Sequence, residues 1–281
     1  MSNFEIETKS NSCIKIIDCF IFYNELDLLN YRLNVLNDIV DFFVIVESTH
    51  TFIGKEKPLI FNDNKHLFDK FNEKIIHIVV YDFPFKYPNI NIQNNDVWKN
   101  ENFQRDQIKR GIEQLKLNDE DIIIITDLDE IPNPDTVLKI KNKEISVDIR
   151  SLQMDFYYYN LNSKLQYLWN HPKIIEFKTY KELSLSFNGI RHYNNCQAIE
   201  SGGWHLSYFG DSNYIKNKIE NFSHQEYNND YYTNIEKIES KIKNCIDIYN
   251  RKDIQIIKIP IKDNPHLPSE YEKYLTKYIL E

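Results

Sequence analysis

Apolar positions along this chain follow two different periods. Residues 14–23 (IKIIDCFIFY), 42–47 (FFVIVE), 74–83 (KIIHIVVYDF) and the isoleucine run 122–125 are short and almost continuously apolar, the pattern of strands buried on both faces of a sheet covered by helices. Between the first two, NELDLLNYRLNVL sets Leu26, Leu29, Leu33 and Leu36 at helical spacing, so this stretch reads as a βαβ unit with a right-handed crossover. Residues 96–117 (DVWKNENFQRDQIKRGIEQLKL) read as one long amphipathic helix leading into the isoleucine strand. The pattern predicts an α/β fold, Rossmann-like, with a mostly parallel sheet flanked by helices and a doubly wound first half able to bind a nucleotide.

Further along, SVDIRSLQMDFYYYNL and KIIEFKTY are β-rich and aromatic, and helical spacing returns at residues 213–221 and 231–249. The expected organisation is a polar extension over 1–13, a single domain over 14–250 with halves 14–135 and 136–250, and an irregular tail over 251–281. The aromatic second half suits a sugar site, because sugar rings stack their C–H faces on aromatic rings. Tyr157, Tyr158, Tyr159 and Trp169 either line such a site or are ordinary strand residues.

The isoleucine strand delivers Asp127, Asp129 and Glu130 to its carboxyl end, where open α/β sheets bind ligands. On an extended backbone Asp127 and Asp129 would face one way and Glu130 the other. Two such carboxylates suit Mg²⁺ or Mn²⁺ holding a diphosphate. The alternative is that these acids cap the following helix, since residues 131–135 resemble a turn into one. On the long helix, Glu101 and Arg105 are four apart and pair, or Arg105 turns to a phosphate.

Composition narrows the partners. With 281 residues, 42% hydrophobic and 27% charged, the chain is of globular type, and its net charge of −8 argues against nucleic acid. The four cysteines show no metal or redox spacing and are expected to be reduced core residues. No stretch approaches the roughly 18 apolar residues of a membrane span and the N-terminus has no signal-peptide core, so a soluble, cytoplasmic protein is expected.

Six segments taken in order, DCFIFYNELDLLNYRLNVL, VDFFVIVESTHTFIGKEKP, WKNENFQRDQI, TDLDEIP, GGWHLSYFG and FSHQEY, resemble glycosyltransferase family 17 over residues 19–227. The resemblance implies a GT-A-type fold, residues 14–135 being the nucleotide-sugar half and 136–250 the acceptor half. It also implies a UDP-sugar donor, a divalent metal, and inverting transfer of N-acetylglucosamine to a glycan or glycoprotein hydroxyl.

On that basis Asp129 is the expected direct metal ligand, while Asp127 binds the metal through water or holds the ribose. His205 or His224 adds a third ligand, with His205 preferred because Gly202 and Gly203 would let the backbone approach the donor; either histidine is otherwise structural. Asn24, Glu25, Glu47 and Ser48, at the ends of the first two strands, are the candidate nucleotide contacts, though Glu25 also suits a first helical turn. Candidate bases are Glu130, Asp155, Glu200 and, by chain order, Asp211, which is otherwise a turn aspartate. Two other classes stay open: a catalytically silent sugar-binding protein of the same fold, and a metal-dependent phosphoesterase.

Overall fold

The computed structural model describes residues 13–280, so the expected polar extension lies outside the described residues except for Cys13. The chain opens with β1 (Ile16–Phe22), α1 (Leu26–Leu36), β2 (Phe42–Ser48), the single turn α2 (Ile60–Asp63) and β3 (Ile75–Val80). Helices α3 (Asp96–Asp106) and α4 (Ile108–Ile112) lead to β4 (Ile122–Asp127), β5 (Glu130–Pro132) and α5 (Pro134–Lys141). The second half contributes β6 (Ile149–Tyr158), β7 (Ser163–Leu165), β8 (Lys173–Glu176), α6 (Phe177–Leu183), α7 (Phe187–Arg191) and β9 (Ala198–Ser207). It closes with α8 (Ser212–Asn221), α9 (Ile235–Asn244), β10 (Ile256–Lys258) and α10 (Tyr271–Tyr274).

The sheet runs β10-β7-β6-β8-β4-β1-β2-β3, with β9 paired to β6 and β5 to β9. Strands β4, β1, β2 and β3 are parallel to one another, and β6 runs parallel to β9. The joint between halves, β4 to β8, is antiparallel, as is the pairing of β8 with β6. Alternate residues of the parallel strands feed two cores. Ile16, Phe20, Phe43, Ile45, Ile122 and Ile124 pack with Leu28, Leu29, Leu33 and Leu36 of α1. Ile17, Cys19, Val44, Val46, Ile123 and Ile125 pack with Ile108 and Ile112 of α4. Helices on both faces are why these strands carry apolar residues at nearly every position.

The helix expected over 96–117 is broken. The α3 segment ends at Asp106, where the amide of Gln107 bonds back to the carbonyls of Arg105, Gln104 and Phe103, and α4 then stops at Ile112. The second segment lies close on the sheet: a Cβ at Gly111 would come within 2.4 Å of Val44 Cγ1. Neither Asp129 nor Glu130 caps the next helix, because Asn133 does so through the Asp135 amide.

Chain order 3-2-1-4 in the parallel part means that β1 is followed to opposite sides by β2 and β4, which opens a crevice at their carboxyl ends. The tail packs back onto both halves. Trp204 Nε1 donates to the His266 carbonyl at 2.9 Å, Tyr31 Oη donates to that of Ser269 at 2.8 Å, and Leu275 is fully buried. No helix among the described residues is long and apolar enough to cross a membrane.

Candidate active site

A cleft of 510 Å³ opens over the ends of β1, β2 and β4. One wall comes from the first half, with Tyr23, Glu25, Thr51, Trp98 and Glu101. The other carries Phe156, Tyr167, Trp169, His205, Tyr208 and Lys218. Asp127, Asp129 and Glu130 line it between the two.

The backbone around the acids is set by α1. Arg32 lies on that helix's apolar stripe and is fully buried. Its Nε and Nη2 donate to the two oxygens of Asp18 at 2.8 and 2.5 Å. Its Nη1 donates to the carbonyls of Asp127, Leu128 and Glu130 at 2.9, 3.1 and 3.0 Å. Those carbonyls converge because the chain turns at residues 128–129, so the extended geometry expected for Asp127 and Asp129 does not occur. Instead Asp127 and Glu130 share a partner. Arg191 Nη2 lies 2.9 Å from Asp127 Oδ2 and 2.6 Å from Glu130 Oε1, and its Nη1 lies 2.7 Å from Glu130 Oε2.

Asp127 also accepts from Arg105 Nη2 at 3.1 Å. Burial pushes its carboxyl up, but the guanidiniums of Arg191 and Arg105 outweigh this and hold it below the usual carboxylate range. Arg105 forms the expected pair with Glu101 at 2.9 Å. It does not line the cleft; it is buried behind Asp127 and also bonds Asn188 at 2.8 Å.

Asp129 meets a different set. Lys218 Nζ donates to its Oδ2 at 3.0 Å, and His205 Nε2 lies 3.6 Å from its Oδ1. Burial again pushes the carboxyl up, and the Lys218 ammonium and His205 drive it far below the ordinary range. For Lys218 burial works downward, yet Asp129, Tyr214 and Glu25 raise it well above a free lysine. His205 stacks on Phe156 with centroids 4.3 Å apart, and its Nδ1 is buried without a partner. His224 lies against Trp98, at 4.6 Å between centroids, and bonds Glu226; Asp129 is contacted by His205.

The donor chemistry at Asp129 and His205 fits a divalent ion. Mg²⁺ and Mn²⁺ are commonly held by one or two protein ligands with phosphates and waters completing the shell, and an oxygen and a nitrogen 3.6 Å apart can reach one ion. Asp127 does not fit that role as placed, since both its oxygens are taken by arginines. Among the described residues no group of three or more His, Cys, Asp or Glu assembles around a common point.

The other predicted site residues divide. Glu25 lines the cleft: its Oε2 accepts from the Tyr23 and Asn24 amides at 3.3 and 3.0 Å, and its Oε1 lies 4.0 Å from Lys218 Nζ. Asn24 does not line it, and its Oδ1 is buried without a partner. Glu47 is a correction: it is fully buried outside the cleft, accepting from the Phe61 and Asn62 amides at the start of α2 and meeting His77 at 3.1 Å. Ser48 does line the cleft.

Of the base candidates, Asp211 caps α8 by accepting the Tyr214 amide at 2.7 Å and lies outside the cleft. Asp155 pairs with Lys164 at 2.9 Å, also outside, and Glu200 is exposed on β9. Glu130 is in the cleft but saturated, holding Arg191, the Asp127 amide at 2.7 Å and Trp169 Nε1 at 2.5 Å. Gly202 and Gly203 serve β9 rather than the cleft. A Cβ at Gly202 would come 2.7 Å from Gln153 N, and one at Gly203, where φ is +144°, 2.0 Å from Ile131 O.

Arg32, Arg191 and Lys218 escaped the sequence reading. Arg32 and Lys218 were detectable as charges on apolar helical stripes: Arg32 stands three after Leu29 and four before Leu36, and Lys218 three after Ile215 and next to Ile219. Arg191 gave no such signal in a five-residue helix.

The profile described as Glycosyltransferase family 17 matches residues 3–252. The β-1,4-mannosyl-glycoprotein 4-β-N-acetylglucosaminyltransferase of Rattus norvegicus is 32% identical over 131 residues, which are 45% of this chain and 23% of that protein. Its counterpart in Homo sapiens is also 32% identical, over 45% of this chain and 24% of that protein. The chain thus spans about a quarter of the length of the curated relatives it matches.

Proposed function

The chain belongs to glycosyltransferase family 17, and on that premise we propose that it transfers N-acetylglucosamine from a UDP-sugar to a hydroxyl of a glycan or glycoprotein, with inversion, on a GT-A-type fold. The observation that carries this reading is the Asp129, His205 and Lys218 group at the carboxyl end of β4, in a cleft of 510 Å³ at the crossover point of the sheet. That is where α/β folds hold phosphate-bearing ligands.

In the proposed reaction the donor's nucleoside lies toward β1 and β2, beside Thr51, Trp98 and Glu25, and its diphosphate lies toward Asp129. A divalent cation held by Asp129 and His205 would supply charge stabilisation to the departing diphosphate. Asp127 stays with Arg105 and Arg191, fixing the strand end rather than touching the ion. The acceptor sugar lies on the opposite wall, against Trp169, whose indole Glu130 orients. Inversion is part of this reading, and each cleft carboxylate already has contacts of its own. Asp127 and Glu130 hold Arg191, Asp129 holds Lys218, and Glu101 holds Arg105. Glu25 accepts two amides. In direct attack by the acceptor hydroxyl on the anomeric carbon, the bond to the diphosphate would break with its electron pair leaving on UDP, and the hydroxyl proton would pass to solvent in the cleft.

The test is a donor screen with Mn²⁺, following nucleotide release from each common nucleotide sugar with and without a glycan mixture. UDP release from UDP-N-acetylglucosamine that is lost on chelation and in Asp129→Ala is the expected result. Release from no donor, together with no UDP binding, would refute the reading.

A further inference from the structure

We propose that Lys218 is a phosphate-binding residue of the donor site, its ammonium exchanging between the Asp129 carboxylate and the donor diphosphate. This rests on the donor-site reading above and adds to it the group that meets the diphosphate's charge from the protein side.

Placement is the first support. Lys218 lines the cleft, 3.0 Å from Asp129 Oδ2 and 4.0 Å from Glu25 Oε1, with its ammonium 5.3 Å from the Tyr208 ring centre. Its backbone is fixed, because Ile215 and Ile219 on the same helical face are fully buried. The stem can still swing its charge, since a lysine side chain is a point charge on a flexible chain.

Elimination is the second. The neighbouring cations are spent on structure. Arg32 is bound to Asp18 and three carbonyls, Arg105 to Glu101, Asp127 and Asn188, and Arg191 to Asp127 and Glu130. Arg251, also in the cleft wall, is held by Asp247 and Tyr158. Lys218 is left as the cleft-lining cation that touches Asp129 and has a single close partner.

Charge gives the coupling. A divalent ion on Asp129 beside Lys218 sets positive charges side by side, and a diphosphate between them relieves this. Diphosphate and ion should therefore bind together better than either binds alone.

Calorimetry of UDP and of inorganic pyrophosphate, each with Mn²⁺ present, tests this on wild type, Lys218→Met and Lys218→Arg. We expect Lys218→Met to lose at least about tenfold in affinity for both ligands, Lys218→Arg to keep most of it, and Mn²⁺ alone to bind Lys218→Met no more weakly than wild type. Wild type binding both ligands while Lys218→Met binds them equally well overturns the assignment and leaves the donor site standing. Equal losses in the Met and Arg variants, each with a matching fall in melting temperature, would make Lys218 structural, and also overturn it. Wild type binding neither ligand refutes the donor site and this assignment together.

Discussion

The guanidinium of Arg32 forks onto the carboxylate of Asp18, with nitrogen to oxygen distances of 2.8 and 2.5 Å, and neither side chain is exposed. The same guanidinium gathers the carbonyls of Asp127, Leu128 and Glu130, so a buried ion pair on α1 and β1 sets the turn that carries the site.

Arg32→Met should therefore destabilise the protein by about 3–5 kcal/mol, because it strands a buried carboxylate. The double variant Arg32→Met, Asp18→Leu should recover part of that loss in stability but not turnover, since the three carbonyls stay unpaired. Urea unfolding of both variants measures the first effect, and nucleotide release the second. A single variant as stable as wild type would show that the pair is not needed.

Acid should weaken the fold through the same region. Asp127 and Asp129 have folded pKa values below the usual range, Asp127 through Arg191 and Arg105 against burial, and Asp129 through Lys218 and His205 against burial. Their unfolded values are near about 3.9. Such groups stabilise the folded state above the unfolded pKa, and that stability is lost as pH falls through the folded one. Urea midpoints should fall between about pH 4 and lower values, and less steeply in Arg191→Gln. An identical slope in the variant would remove Arg191 as the cause.

Trp169→Ala should raise the acceptor KM about tenfold with a smaller change in kcat, if binding of the acceptor ring is what is lost. Trp169→Phe keeps a ring but removes the donor to Glu130 at 2.5 Å, and should fall between. Steady-state kinetics at saturating donor decides, and an unchanged KM in both would move the acceptor off this wall.

Asp211→Ala should cost about 1 kcal/mol through loss of the α8 cap while leaving turnover near that of wild type. A large fall in kcat at unchanged melting temperature would bring Asp211 back as a base.

The sequence by itself determined the frame. Continuous apolar runs over β1, β2, β3 and β4 required a sheet covered on both faces, the leucine spacing of α1 required a helix between the first two, and the acids after Ile125 had to fall at a strand end. Each of these follows from a local period. Only the tertiary structure decided which acids act together. Asp127 and Asp129 are two apart in sequence, yet a turn separates them, and Arg191, from a helix in the second half, joins Asp127 to Glu130 instead. Likewise Glu47 went to the start of α2 and Asp211 to the start of α8, because unpaired amides at a helix start bind a nearby carboxylate wherever folding brings one. Periodicity assigns a residue to a face of its own element. The charge that meets it there comes from another element, and is fixed only when the chain has closed.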